Sequence, residues 1–370
     1  MNPFKFGQVV GAKDFCPRPE LMKILSECLM AGQNVLLQGE RRMGKTSLIA
    51  EAVRKNRSLR LLHVDLMEVK SMEGLVQRFA NSILNLEQSS GMLDKALSAL
   101  AGLRPVLSTD SITGSMSISL DTSVSLKPSS MEGLLKVIEQ MHRRRKLVVF
   151  IDEFQDILKL ADHREVLAVL RSRIQFQGTI PYVYAGSVRN QMHGIFYNDN
   201  SPFYKAALPL DVGPLDDSLF SDFLSGKFSE GGRRILPETM VRIFELTGRV
   251  AGDVQAFCSA LWDRSNSGDT LTEGMLPVAL EHIFAQESKG YEMTMVQLTG
   301  SQIKCLSALA RLGGATPYSA DFMKTAGIGS ASSVTRALNR MESLRIIYKG
   351  TGGFVFSNPF FRHWVVWKNL

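Results

Sequence analysis

No apolar run in this 370-residue chain approaches the roughly 20 residues needed to cross a bilayer; the longest, "LVVFI" at 147–151, is strand-sized. Cysteine is scarce. Cys16, Cys28, Cys258 and Cys305 stand far apart without paired spacing, which argues against a disulfide frame and for thiols in a reducing cytosol. The six histidines form no ligand pattern with one another or with cysteine, so no zinc site is expected. The opening "MNPFKFGQVVGAKDF" carries charge and glycine where a secretory signal has its apolar core. A cytoplasmic location away from membranes is therefore expected. A net charge of +7 is compatible with a polyanionic partner without establishing one.

What the chain does contain is alternation. Five apolar, strand-like runs punctuate the first ~230 residues: "NVLLQG" (34–39), "LRLLHVDL" (59–66), "KLVVFIDE" (146–153), "IPYVYAGS" (180–187) and "ALPLDVGPL" (207–215). Helical patterns lie between them, and such alternation predicts an α/β fold, a parallel sheet covered by helices on both faces. The segment 108–128 breaks the rhythm with polar–apolar alternation and reads as a β-hairpin or a flexible polar insertion. From 217 to about 290 the pattern turns helical, as in a lid. Three helical runs and two strand-like runs around "GTGG" then predict a winged helix-turn-helix. The expected domains are 1–216, 217–295 and 296–370.

The stretch "GERRMGKTS" satisfies G-x-x-x-x-G-K-[ST] with Gly39, Gly44, Lys45 and Thr46, strand before and helix after. Glycines let backbone N–H groups converge, and the helix N-terminus adds donors and dipole. Gly39, Glu40, Arg41, Arg42, Met43, Gly44, Lys45, Thr46 and Ser47 are thus expected to line a phosphate-bearing nucleotide. Lys45 reaches the β- and γ-phosphates and the Thr46 hydroxyl ligates Mg²⁺. "VVFIDEF" supplies the acidic strand: Asp152 for the Mg²⁺ shell and Glu153 to activate water. Ser187, at the end of the fourth strand, is either a contact to the γ-phosphate or water, or a turn residue.

With these motifs, the chain resembles the archaeal-type ATPases of the AAA+ and STAND group, relatives of the origin-recognition ATPases. "NPFKFG", "F-x-x-R-x-E-L" at 15–21, "FIDEFQDI", "SPFY" at 201–204 and "TGRVAGDVQAFCSALW" at 247–262 carry the likeness over nearly the whole chain. The resemblance implies ATP as the nucleotide, places Arg18 and Glu20 near the adenine, and puts Ser187 at the sensor position. Two elements depart from it. Ala251 stands where relatives carry a lid proline, and Lys205 with Ala206 replaces a Gly-Arg finger after "SPFY". Lysine lacks the bidentate fork of arginine; Arg189 is the other finger candidate.

The run "HRRRK" (142–146) reads either as a nucleic-acid patch or as a solvated helix end. On the third winged-domain helix, Ser333, Arg336 and Arg340 share a face, with Lys349 on the wing. This face is expected to meet either double-stranded DNA or a protein partner. The expected function is ATP binding and slow hydrolysis that rearranges lid and winged helix. A nucleotide-gated signalling switch or scaffold with a protein partner or self-association is the alternative.

Overall fold

Val35, Leu36 and Leu37 are almost wholly buried, the pattern of a strand covered on both faces. The computed structural model describes residues 1–88, 105–109, 116–120, 126–186, 189–350 and 352–369. In it, β1 (Val35–Gln38) lies inside a five-stranded sheet with β2 (Arg60–Asp65), β5 (Leu147–Asp152), β6 (Tyr182–Ala185) and β7 (Leu208–Asp211), in the order β2-β5-β6-β1-β7. Every pairing is parallel. All five expected strands are present, and β6 separates the loop strand β1 from the acidic strand β5.

Helices alternate with these strands: α1 (Pro19–Ala31), α2 (Lys45–Lys55), α3 (Met72–Gln88), α4 (Ser130–Arg144), α5 (His163–Ile174) and α6 (Arg189–Phe196). Alternate residues of β5 serve opposite faces. Val149 and Ile151 join one core with Leu75, Phe79, Leu134, Ile138 and Leu170 from α3, α4 and α5. Val148 and Phe150, also fully buried, point the other way, where α2 contacts β5. The segment expected as a hairpin or polar insertion overlaps an antiparallel strand pair, β3 (Pro105–Thr109) with β4 (Met116–Leu120), which begins three residues before it.

Residues 9–213 form one compact unit; 1–8 and 214–370 form another. The second begins with α7 (Asp217–Glu230), α8 (Pro237–Thr247), α9 (Ala251–Asp263) and α10 (Leu276–Val296). A two-residue parallel pair, β8 (Arg234–Ile235) with β9 (Thr270–Leu271), links their turns. The chain start belongs to this unit: Phe4 packs on Phe228 and Trp262 at centroid distances of 4.6 and 6.1 Å. Asn2 Nδ2 donates to the Ser259 hydroxyl at 2.8 Å and to Asp263 at 2.9 Å.

The winged helix comprises α11 (Gly300–Leu312), α12 (Ala320–Ala326), α13 (Ala331–Ser343) and the antiparallel ribbon β10 (Ile347–Gly350) with β11 (Gly353–Phe356). Its helices start where short polar side chains cap them: a Thr299/Gln302 capping box, Ser319 and Ser330. The last helix, α14 (Pro359–Trp367), turns its aromatic face onto the helices before it. Phe361 and Trp364 lie 5.2 and 5.4 Å from the Tyr291 ring, and Trp367 5.6 Å from Phe284. His363 Nε2 is 2.9 Å from the Leu246 carbonyl; burial, the largest influence, lowers its pKa. No helix among the described residues is long and apolar enough to cross a membrane.

Candidate nucleotide-binding site

The turn from β1 into α2 needs its glycines. Gly44 caps α2 at φ 89°, ψ 25°, a left-handed conformation that side chains disfavour. A Cβ on Gly39 would sit 2.5 Å from the Val212 carbonyl oxygen, so the loop passes the end of β7 only as glycine. Between them Arg42 also takes a left-handed φ of 64°. The first-turn N–H groups of α2 have no intrahelical acceptor and offer an anion site aligned with the helix dipole.

Lys45 is 8% exposed, and its Nζ donates to the carbonyls of Gly39 at 2.8 Å and Glu40 at 2.9 Å. Burial lowers its pKa most, while Asp152 and Glu153 push it back up. The Thr46 hydroxyl donates to Asp152 Oδ2 at 2.8 Å, joining the start of α2 to the end of β5. A hydroxyl and a carboxylate in contact are the hard oxygen donors that Mg²⁺ prefers, so these residues fit the ion. Asp152 Oδ1 accepts from the Glu153 N–H at 3.0 Å. Glu153 itself takes φ 49°, ψ 41°, which turns its side chain out of the strand line. From the neighbouring strand, His63 stacks on Phe150 at 5.0 Å and brings Nε2 within 3.9 Å of Asp152 Oδ2.

The other expected site residues divide. Met43 is buried, whereas Arg41 and Arg42 are exposed. Ser47 is buried with its hydroxyl turned to the Val10 N–H at 3.1 Å, and Glu51 takes the Ala12 N–H at 3.1 Å. One turn of α2 beyond the loop thus straps the segment before α1. The Arg18 guanidinium bridges the Gly213 carbonyl at 2.7 Å and the Met43 carbonyl at 3.0 Å, bracing the loop from behind. The strap shows in no motif, and F-x-x-R-x-E-L marks Arg18 without naming its acceptors, which are backbone carbonyls 195 and 25 positions away.

Ser187 lies outside the described residues, and Arg189 begins α6. Lys205 is exposed, its Nζ 5.1 Å from the Tyr204 ring centre. In the winged helix, Val334, Ala337, Leu338 and Met341 form the buried face of α13. Arg336 and Arg340 are exposed on its other side, and Arg336 Nη2 donates to the Ser333 hydroxyl at 3.1 Å. Lys349 is exposed on β10.

A glycine-bounded loop, a threonine–aspartate pair and a single strand between loop strand and acidic strand define a Walker-type phosphate-loop fold. The comparisons agree with this class. Residues 289–367 match the family model described as a probable winged helix domain. The Walker-type ATPase of Pyrococcus abyssi aligns over 96% of this chain and 97% of its own, with a TM-score of 0.65 at 17% identity. The Aeropyrum pernix ORC1 protein, solved in complex with DNA, aligns over 97% of this chain and 96% of its own, with a TM-score of 0.52 at 13% identity. No curated protein matches the chain in sequence. At these identities the likeness speaks for fold alone: an α/β phosphate-loop domain, a helical segment and a C-terminal winged helix.

Proposed function

We propose that this chain binds ATP with Mg²⁺ and hydrolyses it slowly, and that its winged helix, contacting double-stranded DNA, reports the nucleotide state. The observation that carries the reading is the 2.8 Å contact between the Thr46 hydroxyl and Asp152, beside the buried ammonium of Lys45. Lys45 exchanges its loop carbonyls for the β- and γ-phosphate oxygens, to which its positive charge is better matched. Thr46 and Asp152 would hold the metal, which would supply charge neutralisation at the phosphates. Glu153, one residue beyond Asp152, accepts the proton of the attacking water. Slow turnover follows from the absence of an arginine fork at the finger position after "SPFY": the Lys205 ammonium lies over an aromatic ring at the surface.

DNA as the output is supported by the exposed Arg336, Arg340 and Lys349 on α13 and the wing, and by the DNA complex of the ORC1 protein that shares the fold. Binding of that kind weakens steeply with salt. The test is ATP turnover with and without duplex DNA at low and moderate salt. Stimulation by DNA supports the reading. Slow turnover indifferent to DNA transfers the output to a protein partner or self-association. Tight ATP binding without turnover overturns the hydrolytic part.

A further inference from the structure

Two unfavourable features converge on the Glu153 carboxylate. Its backbone holds a left-handed φ of 49°, which non-glycine residues seldom keep without a reason. Its Oε2 accepts a hydrogen bond from Gln155 Nε2. Gln155 is 1% exposed, and its buried Oε1 meets no donor among the described residues. Buried acceptors without partners are rare in native proteins. Turning this amide over would set carbonyl against carboxylate, so the bond to Glu153 dictates where the stranded oxygen goes.

That oxygen goes to Gly186, the residue after β6. A Cβ on Gly186 would overlap Gln155 Oε1 and stand 2.6 Å from Met192 Sδ. Below the turn, Phe154 is wholly buried, its ring 4.8 Å from Tyr184 and 5.3 Å from Phe203. The turn 153–155 is therefore fixed from beneath, and an unpaired acceptor, a strained φ and a missing side chain all serve one hydrogen bond. Such breaches of local preference concentrate where function requires them.

We infer that Gln155 is a positioning residue for Glu153: its amide holds the carboxylate in the orientation that accepts the proton of water, and Gly186 leaves the space for it. The inference rests on the hydrolytic reading above. The test uses the full chain as wild type, Gln155→Met, Gly186→Ala, Glu153→Gln and the double variant Glu153→Gln/Gln155→Met. Steady-state ATP turnover, ATP affinity by equilibrium titration and the thermal unfolding midpoint are measured for each. Gln155→Met lowers kcat about ten- to a hundredfold, as misplacement of a catalytic group does. ATP affinity and KM stay within about twofold, because only the chemical step loses a contact. The midpoint holds or rises, since methionine removes the stranded carbonyl together with the donor. Gly186→Ala shows the same split, and decides the matter alone if Gln155→Met does not fold. In the Glu153→Gln background, Gln155→Met changes kcat no further, because the two act as a unit. Wild-type turnover in Gln155→Met, or a loss of affinity and midpoint in step with kcat, overturns the inference while leaving hydrolysis intact. No turnover in the wild type overturns both.

Discussion

Replacing Arg18 with methionine keeps an unbranched apolar stem and removes the donors that brace the phosphate loop. The guanidinium makes charge-assisted bonds to the carbonyls of Met43 and Gly213, at 3.0 and 2.7 Å. Burial lowers its pKa, with Cys16 and Asp211 opposing, and the guanidinium stays charged. A hydrogen bond to a charged group contributes about 1.5–3 kcal/mol, and the half-buried setting returns part of that through water, leaving about 3 kcal/mol for the pair. In a unit of this size each kcal/mol moves the unfolding midpoint by about 2–4 °C, so Arg18→Met lowers it by about 6–12 °C. Lysine, a point charge, reaches one carbonyl and recovers about half. ATP affinity falls about tenfold in the same variant, because the Met43 end of the loop is no longer fixed before the phosphates arrive. Calorimetric unfolding and ATP titration check both numbers. An Arg18→Met midpoint and affinity equal to wild type would refute the bracing role.

Glu51→Gln loosens the strap. The Glu51 carboxylate is held below its ordinary value of 4.5 mainly by the hydrogen bonds from Arg54, helped by the Ala12 N–H and opposed by burial. A depressed carboxylate adds stability that is present above the unfolded value and lost as pH falls through the folded one. The midpoint gap between wild type and Glu51→Gln therefore stays constant above about pH 5.5 and closes in more acid solution; a gap that widens there contradicts the assignment. In the winged helix, Arg336→Ala, Arg340→Ala and Lys349→Ala each weaken DNA binding across sequences and reduce the salt slope by about one. ATP affinity is unchanged in all three, since none belongs to the phosphate loop. Filter binding at stepped salt measures the slopes, and three unchanged slopes would remove this face from DNA contact.

The site's chemistry was legible wherever it is carried by contiguous residues. "GERRMGKTS" and "VVFIDE" each hold their spacing within one turn or strand, and the sheet merely brings Thr46 and Asp152 into contact across 106 positions. The five strands were equally legible, because neighbours such as Val148 and Val149 are buried on opposite faces of the sheet and leave a continuous apolar run. What escaped depends on tertiary partners. Arg18 falls in F-x-x-R-x-E-L, but its acceptor is a carbonyl 195 positions away that any residue type could offer, so the motif does not disclose the brace. Gln155 reads as an ordinary polar residue after the acidic strand until its burial is known. The eight opening residues fold with 214–370 because Phe4 finds Phe228 and Trp262, a pairing that composition does not reveal.

The measurement that bears most directly on the account is ATP turnover of wild type and Glu153→Gln, alongside ATP affinity for both. Wild type is expected to turn over slowly and Glu153→Gln to lose turnover by about a hundredfold or more at equal affinity, as for removal of a general base. Equal turnover in the two proteins would contradict it, leaving Glu153 outside the chemistry and the loop as a holder of nucleotide.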